Sequence, residues 1–104
     1  MTLPPTDPEG FLKDHESWNP EVALAIAAAE SLELTDAHWE VIELVRTFYA
    51  DYGLFPQNRV LVSKMREQLG EAKGSSIYLM KLFSGKPIRV LAKVAGLPKP
   101  PFCE

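Results

Sequence analysis

Residues 35–53 read TDAHWEVIELVRTFYADYG, and the spacing of their side chains decides the fold class. Val41, Val45, Phe48, Tyr49 and Tyr52 recur at intervals of three and four, while Asp36, Glu40, Glu43, Thr47 and Asp51 take the opposite face. That period predicts an amphipathic helix of about four turns, opening at Thr35-Asp36 and stopping near Gly53. Upstream, Asn19-Pro20-Glu21 is a helix start: Asn caps, Pro suits the first helical position, and Glu favours the positive end of the dipole. The alanine-rich VALAIAAAE that follows favours helix and allows a neighbouring element to approach closely.

Downstream, Pro56 blocks helix continuation and Asn58 is available as a cap. A third helix then runs from about Arg59 to Leu69, burying Leu61, Val62, Met65 and Leu69, with Gly70 suited to its stop. Gly74-Ser75-Ser76 opens a short fourth helix, IYLMKLF, whose apolarity nearly all round predicts the most buried segment, with Tyr78, Met80 and Phe83 in the core. Pro87 starts a fifth helix with Ile88, Leu91, Val94 and Ala95 inward, ended by Gly96. No stretch carries a convincing strand pattern, although Gly10-Phe11-Leu12-Lys13 could form a short extended piece that buries Phe11. The expectation is a mainly α, compact bundle of about five helices in a single domain over residues 1–104. A turn-rich, mobile leader (1–10) precedes it, and an extended, mobile C-terminal arm (97–104) follows.

A chain of 104 residues suits one modest core, and 46% hydrophobic with 24% charged residues is an ordinary globular composition. No apolar run reaches a membrane span, and MTLPPTDPEG has neither the basic nor the apolar region of a signal peptide. The single cysteine excludes an intramolecular disulfide and fits a reducing, cytoplasmic setting; with His15 and His38 it lacks zinc-ligand spacing. Charge is uneven. Residues 1–52 carry two basic and eleven acidic residues, whereas residues 53–104 carry nine basic and three acidic ones. Opposite faces that help the halves associate would explain this, and so would a docking surface for an acidic partner or nucleic acid.

That one cysteine, Cys103, stands second-last in GLPKPPFCE. Prolines lack an N–H and fix φ, so the segment favours polyproline II, and the seven steps from Gly96 span up to about 22 Å. The result is a stiffened arm with a thiol near its tip and Phe102 as an apolar anchor for retraction. Sulfur can hold a second sulfur as a persulfide or disulfide, and its reactivity follows the thiolate fraction. Glu104 and the terminal carboxylate disfavour the thiolate, so activation has to come from Arg89, Lys93 or Lys99, or from a partner's site. Arg89 and Lys93 fall one turn apart beside the arm's root and are candidates for a cationic patch, with plain solvation the competing reading. An incidental cysteine at a frayed end is equally compatible with the spacing. Trp18 and Trp39 read as core or hinge anchors, and His38 as a surface or packing residue in preference to a catalytic base.

Lys93-Val94-Ala95-Gly96-Leu97-Pro98-Lys99-Pro100 followed by Cys103 resembles the C-terminal signature of the TusE/DsrC (sulfite reductase gamma-subunit-like) family. Gly10-Phe11-Leu12, Trp18, LTDAHWEVI from Leu34, Phe48-Tyr49, and GEAKGSSIYL from Gly70 match as well, in the family's order from about Gly10 onward. The resemblance implies a small, cytoplasmic, mostly helical protein with a short N-terminal β-hairpin and a mobile arm whose penultimate cysteine carries sulfur as a persulfide. That role maps onto Cys103. Here Met1-Thr2-Leu3 leaves only a stub of the hairpin's first strand. DsrC proper has a second arm cysteine where Ala92 stands, which puts two-cysteine disulfide and trisulfide chemistry in doubt and brings the pattern closer to TusE. The implied relay takes sulfur from a TusBCD-type complex and passes it to a tRNA thiouridylase for 2-thiolation of the wobble uridine. It needs no metal or organic cofactor, and any contact with tRNA is indirect. A docking subunit of dissimilatory sulfite reductase, or of sulfur oxidation, is the alternative that the same resemblance carries. A helix-turn-helix DNA-binding regulator, built from helices three and four, is the remaining alternative. IYLMKLF, with Lys81 as its one charge, is too apolar to read bases.

Overall fold

The structure, a computed structural model, describes residues 4–100; residues 1–3 and 101–104, Phe102 and Cys103 among them, lie outside the described residues. Five α-helices form the body: α1 (Pro20–Ala29), α2 (Asp36–Tyr52), α3 (Asn58–Leu69), α4 (Ser76–Phe83) and α5 (Pro87–Val94), with short 3-10 turns at His15–Ser17 and Glu71–Lys73. The expected mainly α architecture of about five helices holds.

Local chemistry explains the starts. Asn19 Oδ1 accepts the Val22 N–H at 3.0 Å and Ser75 Oγ accepts that of Tyr78 at 3.0 Å, each satisfying an amide that a helix N-terminus leaves free. At α2 an imidazole takes the part usually given to Glu. His38 Nδ1 accepts the Thr35 N–H at 3.0 Å, which leaves the ring proton on Nε2, 2.7 Å from the Leu82 carbonyl. His38 is buried with its ring edge-on to Phe83, so it ties α2 to the end of α4 as a packing residue. Asn58 is the first residue of α3, not its cap, and its side chain donates to Ser76 Oγ at 3.2 Å.

The core centres on α5, against which α1, α2 and α4 pack. All eight residues of α5 except Arg89 are buried. This corrects the expectation that α4 is the most buried segment: only Leu79 and Phe83 of α4 are buried, and Met80, expected in the core, is 51% exposed. A two-turn helix at the edge of the core turns one side inward, whatever its other side chains are. On α2 the buried stripe is His38, Val41, Ile42, Leu44 and Val45; Tyr52 instead reaches the surface beside Phe48. Trp18, Trp39 and Tyr78 are partly buried against the core.

The N-terminal stretch folds back on itself. Asp7 N–H donates to the Phe11 carbonyl at 2.8 Å, Lys13 N–H to that of Pro5 at 3.1 Å, and Thr6 and Leu12 form one antiparallel bridge. Asp7 Oδ1 also accepts the N–H groups of Glu9 and Phe11, which fixes the turn and buries Phe11. Among the described residues this bridge is all there is of the implied hairpin, and no strand is formed.

The charge asymmetry has a structural counterpart. Each ion pair among the described residues joins an acid of the first half to a base of the second: Glu9 with Arg89 and Lys99, Glu30 with Lys93, Glu40 with Lys73.

Candidate functional site

The root of the arm is where sequence and structure concentrate their constraints. At the end of α5 the Leu97 N–H donates to the Ala92 carbonyl at 3.0 Å and the Gly96 N–H to that of Lys93 at 3.1 Å, a Schellman stop. Gly96 has φ +72°, and a Cβ there would lie 2.3 Å from Trp18 Cδ1. Glycine is therefore required twice, by the left-handed backbone and by the indole lying on it. Trp18 Nε1 donates to the Val94 carbonyl at 2.8 Å and Arg46 Nη1 to the Ala95 carbonyl at 2.7 Å. The Arg46 guanidinium sits 3.9 Å from the Trp18 ring centroid. It satisfies a terminal carbonyl and faces the negative end of the α5 dipole, while burial lowers its pKa from the usual arginine value. Two side chains distant in sequence thus fix the direction in which the chain leaves the helix.

From there the arm lies against the body. Leu97 and Pro100 are buried, and Pro98 and Lys99 are exposed. The segment runs between two hollows. One, of about 180 Å³, is lined by Tyr49, Gly53, Leu54 and Phe55 together with Pro98, Lys99 and Pro100. The other, of about 400 Å³, is lined by His15, Glu16, Arg46, Tyr49, Ala50 and Leu97. Tyr49 belongs to both.

Of the three cations expected beside the thiol, the structure brings two together. Lys99 Nζ lies 2.9 Å from Glu9 Oε2, and Arg89 Nη2 lies 2.5 Å from the same oxygen. Glu9 therefore joins the N-terminal turn, α5 and the arm. The hydrogen bond from Lys99 is the main cause that holds its carboxyl below the usual range; desolvation opposes it, the nearby charges of Lys99 and Arg89 reinforce it, and that of Asp7 works against it. Lys93 stands apart. It is 8% exposed, its ammonium is 3.2 Å from Glu30 and 5.6 Å from the Phe11 ring centroid, and its stem packs against Gly10. All three candidates thus already carry a carboxylate partner.

Cys103 is outside the described residues, three positions past Pro100. Ala92 is fully buried in α5. The residues that sequence reasoning did not single out are Arg46 and Glu9. A usable signal existed for Arg46: it is the one base of α2 and stands four residues after Ile42 and three before Tyr49, on the edge of the apolar stripe. Nothing in the sequence marked Glu9, whose partners are 80 and 90 residues away. No helix is long and apolar enough to cross a membrane among the described residues.

Comparison with known proteins gives consistent results. The family model described as DsrC like protein matches residues 3–104. The sulfurtransferase TusE homolog of Haemophilus influenzae is 52% identical over 98 residues, 94% of this chain and 90% of that protein. Sulfurtransferase TusE of Salmonella paratyphi A is 47% identical over the same shares. Among solved structures, the NMR structure of Allochromatium vinosum DsrC superposes with a TM-score of 0.86 at 40% identity, covering 95% of this chain and 88% of that one. The oxidized gamma-subunit of the dissimilatory sulfite reductase (DsrC) from Archaeoglobus fulgidus gives 0.84 at 35% identity, over 96% and 91%.

Proposed function

Since this chain belongs to the family of DsrC like proteins, we propose that it is a sulfurtransferase of the relay type, acting as one domain that carries sulfane sulfur on Cys103. The Cys103 thiolate attacks the outer sulfur of a donor persulfide. A new S–S bond forms on Cys103, the donor's S–S bond breaks, and its inner sulfur leaves as a thiolate. At the acceptor Cys103 becomes the leaving group: an acceptor thiolate attacks the outer sulfur of the Cys103 persulfide, a new S–S bond forms on the acceptor, the S–S bond on Cys103 breaks, and the Cys103 thiolate is regenerated. No electrons are gained or lost overall in the first step, so the carrier needs no redox cofactor.

The observation that carries this reading is the arm's anchorage. The backbone is held as far as Pro100, and Cys103 follows within three residues, so the thiol can reach at most about 11 Å beyond the last held position. That is half the reach of an arm freed from Gly96, and it suits a thiol offered at the surface of the body to partners that come to it. Arg89 and Lys99 are already engaged by Glu9, so activation of the thiol falls to a partner's site. The relay role extends to a TusBCD-type complex as donor and a tRNA thiouridylase as acceptor, in the cytoplasm, for 2-thiolation of the wobble uridine. Association with a dissimilatory sulfite reductase is the second reading, favoured by the DsrC structures. The buried Ala92 weighs against its two-cysteine chemistry, since no thiol stands there to close on Cys103.

Intact mass spectrometry after incubation with a cysteine desulfurase and the donor complex tests the proposal. The expected result is an adduct of about 32 Da, one sulfur atom, that reducing agent removes and Cys103→Ser abolishes. Absence of the adduct, or its persistence in the serine variant, overturns it.

A further inference from the structure

Residues 72–103 contain no Asp or Glu and six Lys or Arg. Four of the six, Lys73, Arg89, Lys93 and Lys99, are paired with carboxylates from the first half of the chain. The two without an ion pair among the described residues are Lys81 and Lys86. They coincide with a second anomaly. Along α4 the exposed positions are Ser76, Ile77, Met80 and Lys81, a single stripe of the helix, and the exposed Ser84, Gly85 and Lys86 follow its end. Ile77 is 68% exposed and Met80 51%, although Leu79 and Phe83 already supply the inward side of the same helix. Two large aliphatic side chains one turn apart in water, with the uncompensated Lys81 on the same stripe and Lys86 three residues beyond the helix, form a surface that the fold itself does not use.

We propose that this stripe is the docking surface for the sulfur donor of the relay, whose matching face presents an apolar spot flanked by carboxylates. The inference rests on the carrier reading and names the face by which the donor is recognised. A nucleic acid is a poor occupant. Two lysines neutralise few phosphates, no exposed aromatic ring on the stripe offers stacking, and Ile77 and Met80 would gain nothing from a phosphate backbone. The acceptor fits less well than the donor, because an enzyme that thiolates tRNA must hold a polyanion and so presents basic surface around its site. A donor that handles only protein thiols has no such constraint and can be acidic. The stripe is one two-turn helix wide, which keeps the contact in the small, transient class, as a carrier that must leave for its next partner requires.

The test is transfer from a TusBCD-type donor complex, loaded by a cysteine desulfurase, to the full chain at varied concentration. Met80→Glu and Lys81→Glu are each expected to raise KM by about tenfold with kcat unchanged, the loss of one anchor at a small interface. The rate at which iodoacetamide alkylates Cys103, and the melting temperature, should match the parent chain. Lys13→Glu, the same charge reversal at an exposed site elsewhere, should leave KM alone. The neutral Met80→Gln and Lys81→Gln should show the same direction with a smaller effect, which separates docking from any folding defect. Raising salt from about 50 to about 300 mM should lower kcat/KM for the parent more than for Lys81→Glu, Lys86→Glu together. Unchanged KM in the stripe variants overturns the inference. So does an effect confined to the thiouridylase, to tRNA binding, or to self-association of the chain. Failure of the parent chain itself to accept sulfur is a different result: it removes the carrier reading and this inference with it.

Discussion

At the scale of single residues, Gly96 decides how the arm begins. Its left-handed φ excludes other side chains at a cost of about 1–2 kcal/mol, and the Trp18 ring occupying the space of a Cβ adds roughly 1–3 kcal/mol. Gly53 separates the two effects, because it has φ +70° with nothing within 4 Å of a Cβ. Gly96→Ala should therefore cost about 2–5 kcal/mol in urea unfolding and Gly53→Ala only about 1–2 kcal/mol. Equal losses would show that the indole contact contributes nothing. That Gly96 ends a helix is readable from Gly-Leu-Pro alone. That an indole from residue 18 closes over it is not, because a steric requirement of this kind is set by a neighbour 78 positions away in the chain. Arg46 has the same character: its helical face is legible, but its target, a carbonyl at the end of α5, is not.

At the scale of elements, α4 and α5 show how far apolarity falls short of direction. In sequence α4 reads as apolar nearly all round and α5 as apolar on one face, yet α5 is buried on nearly every side and α4 on one. The difference is testable on adjacent residues. Leu79→Ala, at a fully buried site, should cost about 2–5 kcal/mol, whereas Met80→Ala should stay within about 0.5 kcal/mol. Comparable losses from equilibrium denaturation would mean that Met80 is covered in the folded chain. Helix existence and most boundaries were legible because caps, Pro and Gly act within a few residues of where they stand. The rank order of burial was not, since it depends on how many neighbours each helix acquires.

At the scale of the molecule, the acidic first half and basic second half are joined by ion pairs, and Glu9 holds two of the cations at the arm's root. Its carboxyl is held below the ordinary value, so its contribution to stability is present above the unfolded-state value and is lost as pH falls through the folded one. Glu9→Gln should flatten the decline of melting temperature on the acid side, below about pH 5, and the difference from the parent should shrink at high salt because the group is exposed. An identical acid limb in the two proteins would sink that reading. Lys73, raised by its hydrogen bond to Glu40, acts in the opposite sense, with its contribution lost as pH rises through the folded value. The sequence by itself determined the helices, the arm, the lone thiol and the family, since each is written in local spacing or in an ordered set of motifs. Only the tertiary structure decided which cations keep their charge free, which side of α4 faces water, and that the arm lies on the body as far as Pro100. Those outcomes depend on pairings between residues far apart in the chain, and a one-dimensional pattern records what each residue can do without recording which partner it meets.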